Sequence, residues 1–72
     1  MKLDITMPVF FHSCGEELDH KTGRVVGIGA GPFTQLNGEV YSHYIVLLDS
    51  PILRDGYPNE AISITEYCLA NT

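Results

Sequence analysis

Seventy-two residues make one small domain and leave no room for a second lobe. With 44% apolar and only 18% charged residues, the chain is too hydrophobic to stay disordered. Four basic residues against nine acidic ones give a net charge of −5, and Lys2, Lys21, Arg24 and Arg54 are scattered, which argues against nucleic acid as a partner.

Residues 3–11 alternate, with Leu3, Ile5, Met7, Val9 and Phe11 on one face, the period of a half-buried strand. Pro8 cannot donate to a ladder, so this strand is expected at a sheet edge or broken there. Asp4, Thr6 and Pro8 also interrupt any secretory h-region, and no run approaches the ~20 apolar residues of a membrane span. Cys14 and Cys68 lie far apart and form no CxxC pair, so a cytoplasmic protein with two reduced thiols is expected.

Residues 13–23 are polar, begin near Gly15 and end at Gly23, and read as a surface loop. A short strand follows at 24–28, and the clearest strand of the chain at 40–48, stopped by Asp49-Ser50-Pro51. Asp55-Gly56 and Pro58-Asn59 punctuate the next loop. In the last strand, 61–65, Ile62 and Ile64 alternate against Ala61, Ser63 and Thr65, and Thr65 is placed to cap a single helical turn through Tyr67, Cys68 and Leu69. No segment has the apolar spacing of a core helix. The expectation is one all-β domain over residues 1–72, a small SH3-like barrel of four to five strands with a short C-terminal helical turn. An OB-like barrel or open meander is the second choice.

The stretch 25–32, Val-Val-Gly-Ile-Gly-Ala-Gly-Pro, suggests a dinucleotide-binding turn, which needs a third glycine and a following helix to hold the pyrophosphate. Neither register supplies that glycine, since Thr34 and Pro32 occupy its place. Asp49, about twenty residues beyond Gly29, suits a ribose contact, but Asn37-Gly38 marks a hairpin turn where the crossover helix would have to run. The glycines therefore predict a bend or bulge, with Pro32 fixing the exit and the loop 29–39 as a ligand-facing segment.

Three groupings have the residue types for chemistry. His12, Cys14 and His20, joined by Cys68 if the termini meet, are metal-ligand types but lack paired spacing, so no metal or other cofactor is expected. Cys14 with a histidine base would be a nucleophile, yet Glu16, Glu17 and Asp19 beside it raise a thiol pKa, and Glu17 with Asp19 makes at best a loose cation site. Tyr41 and His43 share a strand face, while Tyr44 points with Val46 and Leu48 to the core. With Phe33 and Tyr57 from flanking loops, Tyr41 and His43 form the expected binding surface, aromatic and suited equally to a ligand or to an identical subunit.

The run 20–69, with Gly-Arg-Val-Val-Gly, Tyr-Ile-Val-Leu-Leu-Asp, Ile-Ser-Ile-Thr and a closing turn, resembles the strand layout of small bacterial SH3-like barrels. Among these it looks like the type II dihydrofolate reductases, tiny barrels that build one active site at the centre of a tetramer. Their Val-Gln-Ile-Tyr catalytic strand would fall near 61–65, where this chain reads Ala-Ile-Ser-Ile-Thr. The resemblance thus implies an architecture and a site formed between subunits, and no reductase activity. A non-catalytic binding or assembly module is expected, homo-oligomeric, using loops around 29–41 and 49–59 to meet a protein or small molecule. The alternative is a small oligomeric enzyme or small-molecule-binding protein whose site forms between subunits.

Overall fold

The computed structural model describes residues 3–72, so Lys2 lies outside the described residues. In chain order the strands are β1 (Pro8–Phe11), β2 (Thr22–Ile28), β3 (Phe33–Thr34), β4 (Val40–Tyr41), β5 (His43–Arg54), β6 (Tyr57–Thr65) and β7 (Leu69–Asn71), with a 3₁₀ turn, Glu66–Cys68, before β7. Five of them form one antiparallel sheet in the order β6-β5-β2-β1-β7, while β3 and β4 make a separate two-stranded ribbon. The chain is therefore all-β as expected, with seven strands among the described residues in place of four or five. β6 and β7 are the two ends of the sheet order and do not pair, so no closed barrel is seen.

The core follows the alternation. Val9, Phe11, Val25, Tyr44, Val46, Leu48, Ile62 and Leu69 are buried on one sheet face, with Leu3 and Ile52 beside them and Ile64 packed against them. The expected strand over residues 3–11 is shorter, because Thr6 takes a φ of +73° and closes a turn, Met7 N–H donating to Asp4 O at 3.1 Å. Ile5 is thereby thrown outward while Leu3 stays buried. β1 begins at Pro8, a first strand position where a missing donor is tolerated, and lies inside the sheet between β2 and β7.

Two boundaries depart from expectation in instructive ways. Asp49-Ser50-Pro51 does not end the central strand: β5 continues to Arg54, and the irregularity falls between Leu47, opposite Ala61, and Ile52, opposite Asn59. Proline is tolerated here because the bulged residues are out of the ladder. Asp55 and Gly56, at φ +52° and +81°, then form the two-residue turn joining β5 to β6. The polar loop 12–21 has an anchor that its composition conceals, since Leu18 is buried in the core.

Candidate functional site

The site begins at the β3–β4 ribbon. Asn37-Gly38 makes the turn foreseen for it: Gly38 takes a φ of +88°, Gly38 N–H donates to Gln35 O at 3.0 Å and Gln35 N–H to Glu39 O at 2.8 Å. The Asn37 side chain accepts from Glu39 N–H at 2.9 Å. This register sets Phe33 opposite Tyr41, with ring centroids 5.4 Å apart. The long strand expected over 40–48 is interrupted at Ser42, yet His43 still lies beside both rings, 5.2 Å from Phe33 and 6.3 Å from Tyr41.

Tyr67 completes the cluster and was not among the expected residues. Thr65 caps the 3₁₀ turn, its hydroxyl accepting from Tyr67 N–H at 3.5 Å, and the turn carries the Tyr67 ring to 5.2 Å from Tyr41. The capping threonine was readable in the sequence; the direction in which the turn throws its tyrosine was not. Partial desolvation, then the nearby Glu39 and Glu66 carboxylates, hold the Tyr67 phenol above its ordinary pKa of 10.0. Tyr57 belongs elsewhere. It starts β6 opposite Arg54, whereas His43 pairs with Thr65 at the other end of the same hairpin, on the order of 30 Å of strand away. The structure thus gathers Phe33, Tyr41 and His43 and leaves Tyr57 at a distant tip.

The glycine stretch feeds this cluster. A bulge between Val25 and Gly27 shifts the register of β2 against β5, and Gly29 N–H then donates to His43 O at 2.8 Å while His43 N–H donates to Ala30 O at 2.9 Å. A Cβ on Gly29 would stand 2.7 Å from Ser63 Oγ, and one on Gly31, at φ +120°, would press on Ser42 and the Phe33 ring. The glycines serve close approach, which lets His43 and Phe33 lie against this segment.

Among the described residues, no group of three or more His, Cys, Asp or Glu side chains is placed to hold a metal ion. His12, Cys14 and Cys68 do come together through β1 and β7: His12 N–H donates to Cys68 O at 2.9 Å, and the Cys14 thiol donates to His12 O at 3.1 Å. His20 lies apart, lining a concavity with Lys21 and Asp49. Glu17 and Asp19 are separately engaged, Glu17 with Arg54 at 3.2 Å and Asp19 with Cys14 N–H at 2.8 Å, so the loose cation site is not assembled. Burial, then the Cys68 thiol beside it, then Asp19, push the Cys14 thiol up to about 12. That leaves Cys14 without the lowered thiol pKa that marks an activated nucleophile.

Two open concavities, of about 350 and 230 Å³, flank Asp49, whose carboxylate accepts from the Thr22 hydroxyl at 2.6 Å. Neither is lined by the aromatic cluster, in which Phe33 and Tyr67 are exposed. The patch offers ring faces with polar tips, the chemistry of an amphipathic contact. No protein-family model matches the chain, and comparison with curated proteins and with solved structures yields no match.

Proposed function

We propose that this chain is a non-catalytic binding and assembly module that works as a homo-oligomer, and that the aromatic cluster at the base of the β3–β4 ribbon is its contact face. The observation that carries this reading is the convergence of Phe33, Tyr41, His43 and Tyr67 within 5.2–6.3 Å on an open surface. Aromatic side chains supply large rigid contact area with a polar handle, and are enriched where protein surfaces meet. A second copy of the chain is the proposed occupant. Leu36 and Val40 on the ribbon are left exposed on a chain with few charges, and a stable contact needs about 800 Å² from each partner.

The proposed architecture is SH3-like. Three observations support it: β2, β5 and β6 follow one another across the sheet, β1 adds beside β2, and β7 follows a 3₁₀ turn to pair with β1. In that arrangement the ribbon occupies the loop between the two central strands, where small barrels meet their ligands.

Light scattering at micromolar concentration tests the assembly. An oligomer that dissociates in the Phe33→Ser/Tyr41→Ser double variant supports the reading, and a monomeric native chain overturns it. His43 within the cluster favours the competing reading, a small-molecule site completed between subunits. A thermal-shift screen against metabolites separates the two, because a ligand that binds only the assembled protein raises its Tm and leaves the double variant unmoved.

A further inference from the structure

Cys14 and Cys68 meet although 54 positions separate them. Cys14 Sγ lies 3.6 Å from Cys68 O, and Cys68 Sγ lies 3.7 Å from Ser13 O, so each sulfur rests on the other residue's stretch of backbone. The arrangement is built by the sheet: β1 pairs with β7 in the register Phe11 opposite Leu69, and His12 N–H continues the ladder onto Cys68 O at 2.9 Å. Both residues are free and only half-buried, which leaves them open to a small reagent.

We propose that Cys14 and Cys68 form a reversible dithiol–disulfide pair that responds to small-molecule disulfides of the glutathione class and, when oxidised, staples the Glu66–Cys68 turn to the loop after β1. This inference does not depend on the assembly reading. The chemistry is two successive thiol–disulfide exchanges. A protein thiol loses its proton and its thiolate attacks one sulfur of oxidised glutathione, forming a mixed disulfide and releasing one glutathione thiolate. The second protein thiolate then attacks the protein-side sulfur, forming the Cys14–Cys68 bond and releasing the second glutathione. Two protein thiols are oxidised and one glutathione disulfide is reduced to two glutathione thiols, which take up the two protons.

The sequence of attack follows from the surroundings. Cys14 donates to His12 O and is the more confined thiol, so Cys68 is the entering nucleophile and Cys14 the resolving one. Closure spans most of the chain, the case in which a cross-link restricts the unfolded ensemble most. The staple also holds the turn that carries Tyr67.

The native chain is incubated in a series of glutathione redox buffers, acid-quenched and read by intact mass and by melting. A species lighter by about 2 Da, unimolecular, reversed by dithiothreitol and melting on the order of 10 °C higher, is the expected result. Cys14→Ser is expected to trap a single glutathione on Cys68, and Cys68→Ser to react several-fold more slowly. If the native chain instead accumulates two glutathiones, links only between molecules, or stays reduced in fully oxidised buffer, the proposal fails. Because each variant is checked by circular dichroism before incubation, one that fails to fold is recognised, and the native-chain result still decides.

Discussion

Glu66 and Ser42 hold each other twice: Ser42 N–H donates to the Glu66 carboxylate at 2.9 Å, and Glu66 N–H donates to Ser42 O at 3.0 Å. The pair joins the break between β4 and β5 to the 3₁₀ turn, and the turn brings Tyr67 onto Tyr41. Glu66 is a buried carboxylate in a chain whose other acidic side chains lie nearer the surface, and its position makes the aromatic cluster a consequence of the fold. Glu66→Ala is expected to cost about 1.5–3 kcal/mol, the range for a hydrogen bond to a charged group. Glu66→Gln keeps an acceptor for Ser42 N–H and should cost less. Thermal unfolding of both variants checks the order, and an alanine variant as stable as the native chain would remove Glu66 from this role.

Two glycines, Gly23 within β2 and Gly29 just beyond its end, make a contrasting pair. A Cβ at Gly23 would lie 2.5 Å from the Leu47 carbonyl oxygen, which is backbone and cannot yield, whereas one at Gly29 first meets the Ser63 hydroxyl at 2.7 Å, which can rotate. Gly23→Ala should therefore destabilise by about 2 kcal/mol or more, and Gly29→Ala by roughly 1 kcal/mol. Adding Ser63→Ala to the Gly29→Ala variant should recover part of the loss, while the same addition to Gly23→Ala should recover nothing. Chemical denaturation of the four variants reads the comparison directly.

Much of the fold was legible wherever a local rule acts alone. The burial of Tyr44, Val46 and Leu48, the inward Ile62, the Asn37-Gly38 turn and the Thr65 cap each depend on residues within a few positions. What escaped depends on distant neighbours. Asp49-Ser50-Pro51 carries the composition of a stop, and only its pairing with β6 shows that the strand bulges and resumes. Asp55-Gly56 has the composition of loop punctuation, and only the resumption of β5 beyond the bulge makes it the tight turn of the longest hairpin. The candidate site divides in the same way. Phe33, Tyr41 and His43 are joined by a local ribbon, whereas Tyr67 arrives through Glu66 and Ser42, and Tyr57 leaves because the hairpin extends away from it. The contact of Cys14 with Cys68 is of this long-range kind too, since it exists only once β1 and β7 pair.

The hairpin tip gives a prediction free of the site. Asp55 and Gly56 both have positive φ, the requirement of the tight turn that matches strand twist. Nothing lies within 4 Å of a Cβ built on Gly56, so Gly56→Ala probes backbone conformation without a clash. Its expected cost is about 1 kcal/mol. Asp55→Asn should be neutral or slightly stabilising, and Tyr57→Ser at the same tip should leave the oligomeric state unchanged, in contrast to the Phe33→Ser/Tyr41→Ser variant. Dissociation by Tyr57→Ser would show that the contact surface lies at this end of the hairpin.

Alkaline pH tests the environment of Cys14. Burial, the Cys68 thiol and Asp19 hold its thiol protonated up to about 12, against an ordinary value of 9.0. Above pH 9 the unfolded chain releases this proton while the folded chain keeps it, so the folded state binds more protons and loses stability as pH rises. The contribution is fully present below pH 9 and declines progressively toward pH 12. Tyr67, raised above its own 10.0, acts in the same direction over the upper part of that window. Melting temperature under reducing conditions should therefore fall from pH 9 upward, and Cys14→Ala should flatten the first part of the fall. Site-resolved alkylation with iodoacetamide gives the second measure: at pH 8 Cys14 should label far more slowly than a free thiol, and its rate should keep climbing beyond pH 9. A labelling rate that levels off at pH 9 would mean that the Cys14 thiol is neither desolvated nor held by Cys68.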